Sequence, residues 1–163
     1  MRSHRKPLWT GGLLLTLLLQ GCQGGLRPLP NLNQQLARLG SGQSPSLGSG
    51  WLALIASRDG GRPQVQLIDG QRQLPVPLPG LNRADSLPIQ VSVDARGEHL
   101  AVVRQRDDRT ELVLYRRSLM AVQPLAIEPA GVPRQVSLSA DGRVLAVEVS
   151  RGGLWQIDLL ELP

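Results

Sequence analysis

Few residues in this chain of 163 are of a type that does covalent, metal or acid–base chemistry, and they do not cluster. Cys22 is the single cysteine, a lone thiol open to modification and unable to close a disulfide within the chain. His4 and His99 are the only histidines. Asp59, Asp107, Asp108 and Asp141 stand in Gly- or Arg-containing turn sequences. Calcium needs six to eight oxygens, and neither EF-hand nor nonapeptide spacing is present, so these carboxylates read as turn formers. Arg58, Arg106 and Arg151 recur after matched apolar runs, with Arg104 and Arg109 nearby. Together they could line a rim that grips carboxylates or phosphates on a partner, or simply form solvated hairpin faces. No Gly-x-Ser-x-Gly elbow occurs, and the glycine pairs Gly60-Gly61 and Gly152-Gly153 precede no helix that would make a phosphate loop. The sequence therefore predicts no catalytic residue, no cofactor and no metal, and the protein reads as a non-enzyme.

What surrounds Cys22 gives it a role. Arg2, His4, Arg5 and Lys6 form a basic start, followed by a leucine-rich run from Leu8 to Leu19. Leu19-Gln20-Gly21-Cys22 resembles the bacterial lipobox, with an apolar residue three places before the cysteine and a small residue directly ahead of it. A basic, apolar and small-residue sequence of this kind marks an export signal. The apolar run is shorter than the roughly 20 residues that span a bilayer. Residues 1–21 are thus expected to be a lipoprotein signal peptide, with Cys22 lipidated and the mature chain held on a membrane. Gln23 is not the aspartate that often retains such proteins at the inner membrane, which favours the outer one.

Removing residues 1–21 leaves 142, enough for one domain with a modest core. Arg2, Arg5 and Lys6 carry three of the +5 formal charges, so the mature chain stands at +2, and all of its positive charges are arginines. Scattered charge of this size does not favour nucleic acid, which needs a concentrated basic face. Aromatic residues make up 2% of the chain and phenylalanine is absent, so no stacking platform is visible. With His4 lost alongside the signal, His99 is the one mature histidine, and a two-histidine zinc site is excluded within a monomer. A lone strand histidine is ordinarily a half-exposed filler.

Residues 22–50 are rich in Gly, Pro, Ser and Gln and read as a lipidated, flexible tether. Within it, Leu32, Leu36 and Leu39 fall at helical spacing between Asn31 and Gly40, which predicts a short helix over 31–39. From Trp51 the pattern shifts to alternation with frequent turns, the mark of β-structure. It also repeats. Gln90-Val-Ser-Val-Asp-Ala-Arg-Gly-Glu-His-Leu-Ala-Val102 aligns with Gln135-Val-Ser-Leu-Ser-Ala-Asp-Gly-Arg-Val-Leu-Ala-Val147 at an offset of 45, with eight of thirteen residues identical. A weaker copy runs through Trp51–Ile55 and Ser57–Gly60. A period of about 45 residues holding four short strands indicates propeller blades. Strands are expected at 89–93, 99–104, 111–116, 134–138, 144–149 and 154–159.

Ser139-Ala140-Asp141-Gly142-Arg143-Val144-Leu145-Ala146 resembles the blade motif of TolB-type β-propellers, and Asp94-Ala95-Arg96-Gly97-Glu98-His99-Leu100-Ala101 is a degraded copy. The resemblance covers residues 51–163. Members of that family usually have about six blades, whereas this chain has material for three. The first unit is expected to lack its inner strand, since residues 44–50 are Gly and Ser rich, and the last its outer one. About ten strands are predicted, in an open all-β arc of incomplete propeller blades or in half a ring completed by a second copy. The resemblance implies a lipid-anchored envelope protein facing the periplasm, whose propeller segment binds an envelope protein partner. Two alternatives stand beside this reading. One is a ligand or catalytic site formed between copies of a homo-oligomer, and the other is a structural remnant of a propeller.

Overall fold

The computed structural model describes residues 25–163, so the signal segment and Cys22 lie outside the described residues. A short helix, α1 (Pro30–Arg38), leads into three antiparallel sheets. The first contains β1 (Ser41–Gly48), β2 (Trp51–Ser57), β3 (Gln64–Asp69) and β4 (Leu74–Val76) in that order. The second contains β5 (Ser86–Val93), β6 (His99–Arg106), β7 (Arg109–Arg116) and β8 (Ala121–Leu125). The third has only β9 (Val132–Leu138), β10 (Val144–Arg151) and β11 (Leu154–Glu161). Each sheet is an up-and-down meander, and the sheets stack face to face as successive blades in an open arc. The six strands expected from the repeat are β5, β6, β7, β9, β10 and β11.

The expectation of about ten strands with no inner strand in the first unit is corrected: that strand is β1, which makes eleven. It lies inside 22–50, so residues 41–48 of the expected tether belong to a sheet. Glycine and serine are there because the inner strand runs close to its neighbours. A Cβ on Gly48 would collide with the Asp94 carbonyl of the second sheet. Pairing to β2 runs through the backbone, from Ser41 opposite Ser57 to Gly48 opposite Trp51, and needs no apolar side chain to hold it.

Alternation along the strands builds two cores. Ala53, Ile55, Val65 and Leu67 of the first sheet meet Val91, Leu100, Val102, Val113 and Tyr115 of the second, all buried. The opposite face of the second sheet places Ala101, Val103 and Leu112 against Val136, Leu138, Leu145, Val147 and Val149 of the third. Each of the valine, leucine and isoleucine side chains contributes about 1.5–3 kcal/mol by leaving water, and with no disulfide this packing holds the fold. Pro75 and Pro124 lie in β4 and β8, the outer edge strands, where a missing N–H disrupts no interior ladder.

The outward face of the first sheet is not bare. Leu32 and Leu36 of α1, with Leu39 just after it, cover Leu54, Ala56 and Ile68. The helix starts at Pro30, one residue ahead of the expected start at Asn31, with Leu29 at the cap position, and Gly40 follows at φ 86°. Proline supplies the start because its fixed φ suits the first turn.

Candidate interaction surface

The inner strands are fastened by matching serines. The Ser46 hydroxyl on β1 accepts the Val93 N–H at 3.0 Å, and the Ser92 hydroxyl on β5 accepts the Leu138 N–H at 2.8 Å. Ser46 also donates to Ser92 Oγ at 3.4 Å. One repeat later stands Ser137 on β9, exposed to solvent. Ser92 and Ser137 are identical positions of the sequence repeat, but a blade-to-blade fastener has no sequence signature, because its partner is a backbone amide.

Ser137 belongs to a larger match. Ser92, Ala101, Val103, Leu112 and Leu114 form the face of the second sheet that receives the third. At an offset of 45 they become Ser137, Ala146, Glu148, Ile157 and Leu159, which share one face of the third sheet because Ala146 pairs with both Ser137 and Leu159, and Glu148 pairs with Ile157. This face is open. Ile157 is 67% exposed, Leu159 72%, Trp155 51% and Val144 41%. The Arg134 guanidinium lies over the Trp155 ring, 5.0 Å from its centroid. A soluble monomer seldom exposes a contiguous apolar patch of this kind.

The other chemistry-bearing residues are divided between the two ends of the sheets. At the turn end, Asp94 is fully buried. Its Oδ1 accepts the Arg96 N–H at 3.2 Å and the Glu98 N–H at 2.9 Å, and its Oδ2 lies 3.0 Å from His99 Nδ1. Gly142 of the next blade packs on this pair at φ 73°, where a Cβ would sit 2.7 Å from His99 Nδ1. His99 is thus a folding contact. Ser139 takes the place of Asp94 in the third blade, and its hydroxyl accepts the Arg143 and Val144 N–H groups at 3.2 and 2.9 Å.

Arg58, Arg106 and Arg151 all lie at the opposite end, after β2, at the end of β6 and at the end of β10. Their surroundings differ. Arg106 Nε lies 3.1 Å from Asp85, and Arg151 donates to Asp158 and, through Nε at 2.9 Å, to the Pro129 carbonyl. Arg58 is exposed and has no carboxylate partner among the described residues. Asp59, Asp107 and Asp108 hold left-handed φ values of 51°, 48° and 60° in the hairpins, as turn residues do. Between the first two blades a cavity of about 180 Å³ is lined by Arg62, Asn82 and Arg104 among others. Arg104 Nε holds Glu111 at 2.6 Å, while its buried Nη1 has no hydrogen-bond partner among the described residues, and Arg62 donates to the Ala84 and Ser86 carbonyls.

Asp85 ties this arginine-rich end together. Hydrogen bonding from Arg83, with the nearby Arg106 charge, lowers its carboxyl from the ordinary 3.8 to about 2. The folded pKa lies below the unfolded one, so the stabilisation is present above about pH 4. It is lost as pH falls toward 2. Acid titration of stability should therefore show a steeper loss between those limits than in Asp85→Asn, and identical slopes would remove Asp85 from the account.

No family model matches the sequence, and no curated protein matches it. Among solved structures the chain is similar to TolB from Acinetobacter baumannii, with a TM-score of 0.56 and 16% identity over 72% of this chain and 29% of that one. A chain from a structural and mechanistic study of two prolyl endopeptidases gives a TM-score of 0.41 and 13% identity over 82% of this chain and 32% of that one. The chain spans less than a third of either length. The likeness to TolB is one of fold: three antiparallel sheets stacked as a TolB-like propeller segment, without closure into a ring.

Proposed function

We propose, from the propeller fold this chain shares with TolB, that the protein is a non-catalytic interaction module of the bacterial cell envelope. It is anchored by lipid on Cys22 and faces the periplasm from the outer membrane. The observation that carries the reading is the open face of the third sheet. It repeats the residue positions of an interface used within the molecule, yet leaves Trp155, Ile157 and Leu159 in solvent. A surface of that kind serves binding to protein. The groups that could have served catalysis support the same reading, since Asp94 and His99 hold a turn and Arg104 and Arg151 hold carboxylates.

Anchoring is tested by Cys22→Ser in the full chain, followed by detergent-phase partition and separation of the inner and outer membranes. The parent should enter the detergent phase and the outer-membrane fraction. The variant should remain as an unprocessed precursor or appear in the soluble fraction. A variant that partitions with the outer membrane as the parent does would contradict lipid anchoring at Cys22.

A further inference from the structure

We infer that the open face of the third sheet is the interface of a two-fold homodimer, in which two copies pack these faces against each other. The inference rests on the reading of this face as the contact surface and names its occupant.

Three observations select a second copy in this orientation. First, the face continues an established interface, with the positions of Ser92, Ala101, Val103, Leu112 and Leu114 returning as Ser137, Ala146, Glu148, Ile157 and Leu159. A sheet is therefore the shape that fits it, and stacked sheets pack about 10 Å apart.

Second, head-to-tail assembly is blocked. The surface that a following blade would offer is, in the third sheet, Leu145, Val147 and Val149. Its counterpart in the first sheet is Leu52, Leu54 and Ala56, and α1 already lies on it through Leu32, Leu36 and Leu39. A second copy closing a six-bladed ring would have to displace that helix. Among the described residues the face left uncovered is that of the third sheet, and two copies present it identically and so meet about a two-fold axis.

Third, the charges suit such an axis. Arg134 stacks on Trp155 and has no carboxylate partner among the described residues, and neither does Glu148 of the same face an arginine partner. In an isologous pair Arg134 of one copy meets Glu148 of the other, twice over. A single self-complementary face thus carries both signs.

The test uses the native lipoprotein in isolated membranes. Ala146→Cys, at the middle of the face, is treated with a short bismaleimide. Arg72→Cys, on the turn after β3, and the parent with Cys22 alone serve as controls. Cross-linked homodimer is expected for Ala146→Cys only. Adding Ile157→Asp should reduce it by at least about tenfold, since an apolar contact becomes a buried charge. Adding Glu148→Arg should also reduce it, because each Arg134 then faces an arginine, and adding Arg134→Glu to that variant should restore it. Residue 157 is exposed in the single copy, so a folded, non-dimerising Ile157→Asp chain is attainable. Absence of the Ala146→Cys homodimer overturns the proposal, as does a charge reversal that fails to restore it. A face shielded from solvent in membranes but not cross-linked to itself would overturn the homodimer and leave the contact-surface reading standing.

Discussion

Tyr115→Ala is expected to lower the stability of the folded chain by about 3–5 kcal/mol, the cost of deleting a fully buried aromatic ring. Tyr115 is 0% exposed and lies between the first two sheets, among Leu67, Leu100 and Val113. Its hydroxyl donates to the Pro79 carbonyl at 3.1 Å and so holds the loop that links the first blade to the second. Domains of this size are stable by about 5–15 kcal/mol, so the loss is a large share of the total. Tyr115→Phe keeps the ring and leaves one carbonyl short of a donor, at about 1 kcal/mol. Urea unfolding should give that order, with alanine far below phenylalanine. Equal midpoints for the two variants would mean that the interface between blades one and two is not the core described.

Asp94→Ala is expected to cost on the order of 3 kcal/mol, because it strips three part-buried donors of the buried carboxylate that they share. Two backbone N–H groups and the His99 ring depend on this carboxylate, and Gly142 of the third blade packs on the pair. Asp94→Asn keeps an acceptor oxygen for the backbone amides and should cost about 1 kcal/mol. Thermal unfolding separates the two. An alanine variant as stable as the parent would show that the turn is held by Gly97 and Gly142 geometry alone.

The 45-residue repeat made β5, β6, β7, β9, β10 and β11 legible, because each needs apolar side chains on at least one face and so carries alternation. The strand β1 was hidden for the opposite reason. It pairs through its backbone and passes close to Asp94, so the positions that matter most are glycine and serine, the letters of a linker. The short helix was visible in Leu32, Leu36 and Leu39, but its function as cover for the first sheet was not, since that depends on which face of β2 remained unpaired. At the arginine-rich end the repeat preserved residue type and concealed partner. Arg106 meets Asp85, which lies before β5, whereas Arg151 meets Asp158, whose counterpart one repeat earlier is Val113. The open face itself was recoverable by shifting Ala101, Val103, Leu112 and Leu114 forward by 45. That operation has meaning only once the packing of blade two on blade three is known.

The central claim is that the exposed face of the third sheet is a contact surface in the envelope. Oxidative footprinting, read residue by residue by mass spectrometry, tests it most directly. The full chain in the membranes of cells that make it is compared with the same chain dispersed in detergent at high dilution, where contacts between molecules are lost. Trp155, Ile157 and Leu159 should be labelled several-fold less in membranes than after dispersal, while exposed Leu47 and Leu74, on the first sheet, change little. Equal labelling of Trp155, Ile157 and Leu159 in the two states would contradict the account.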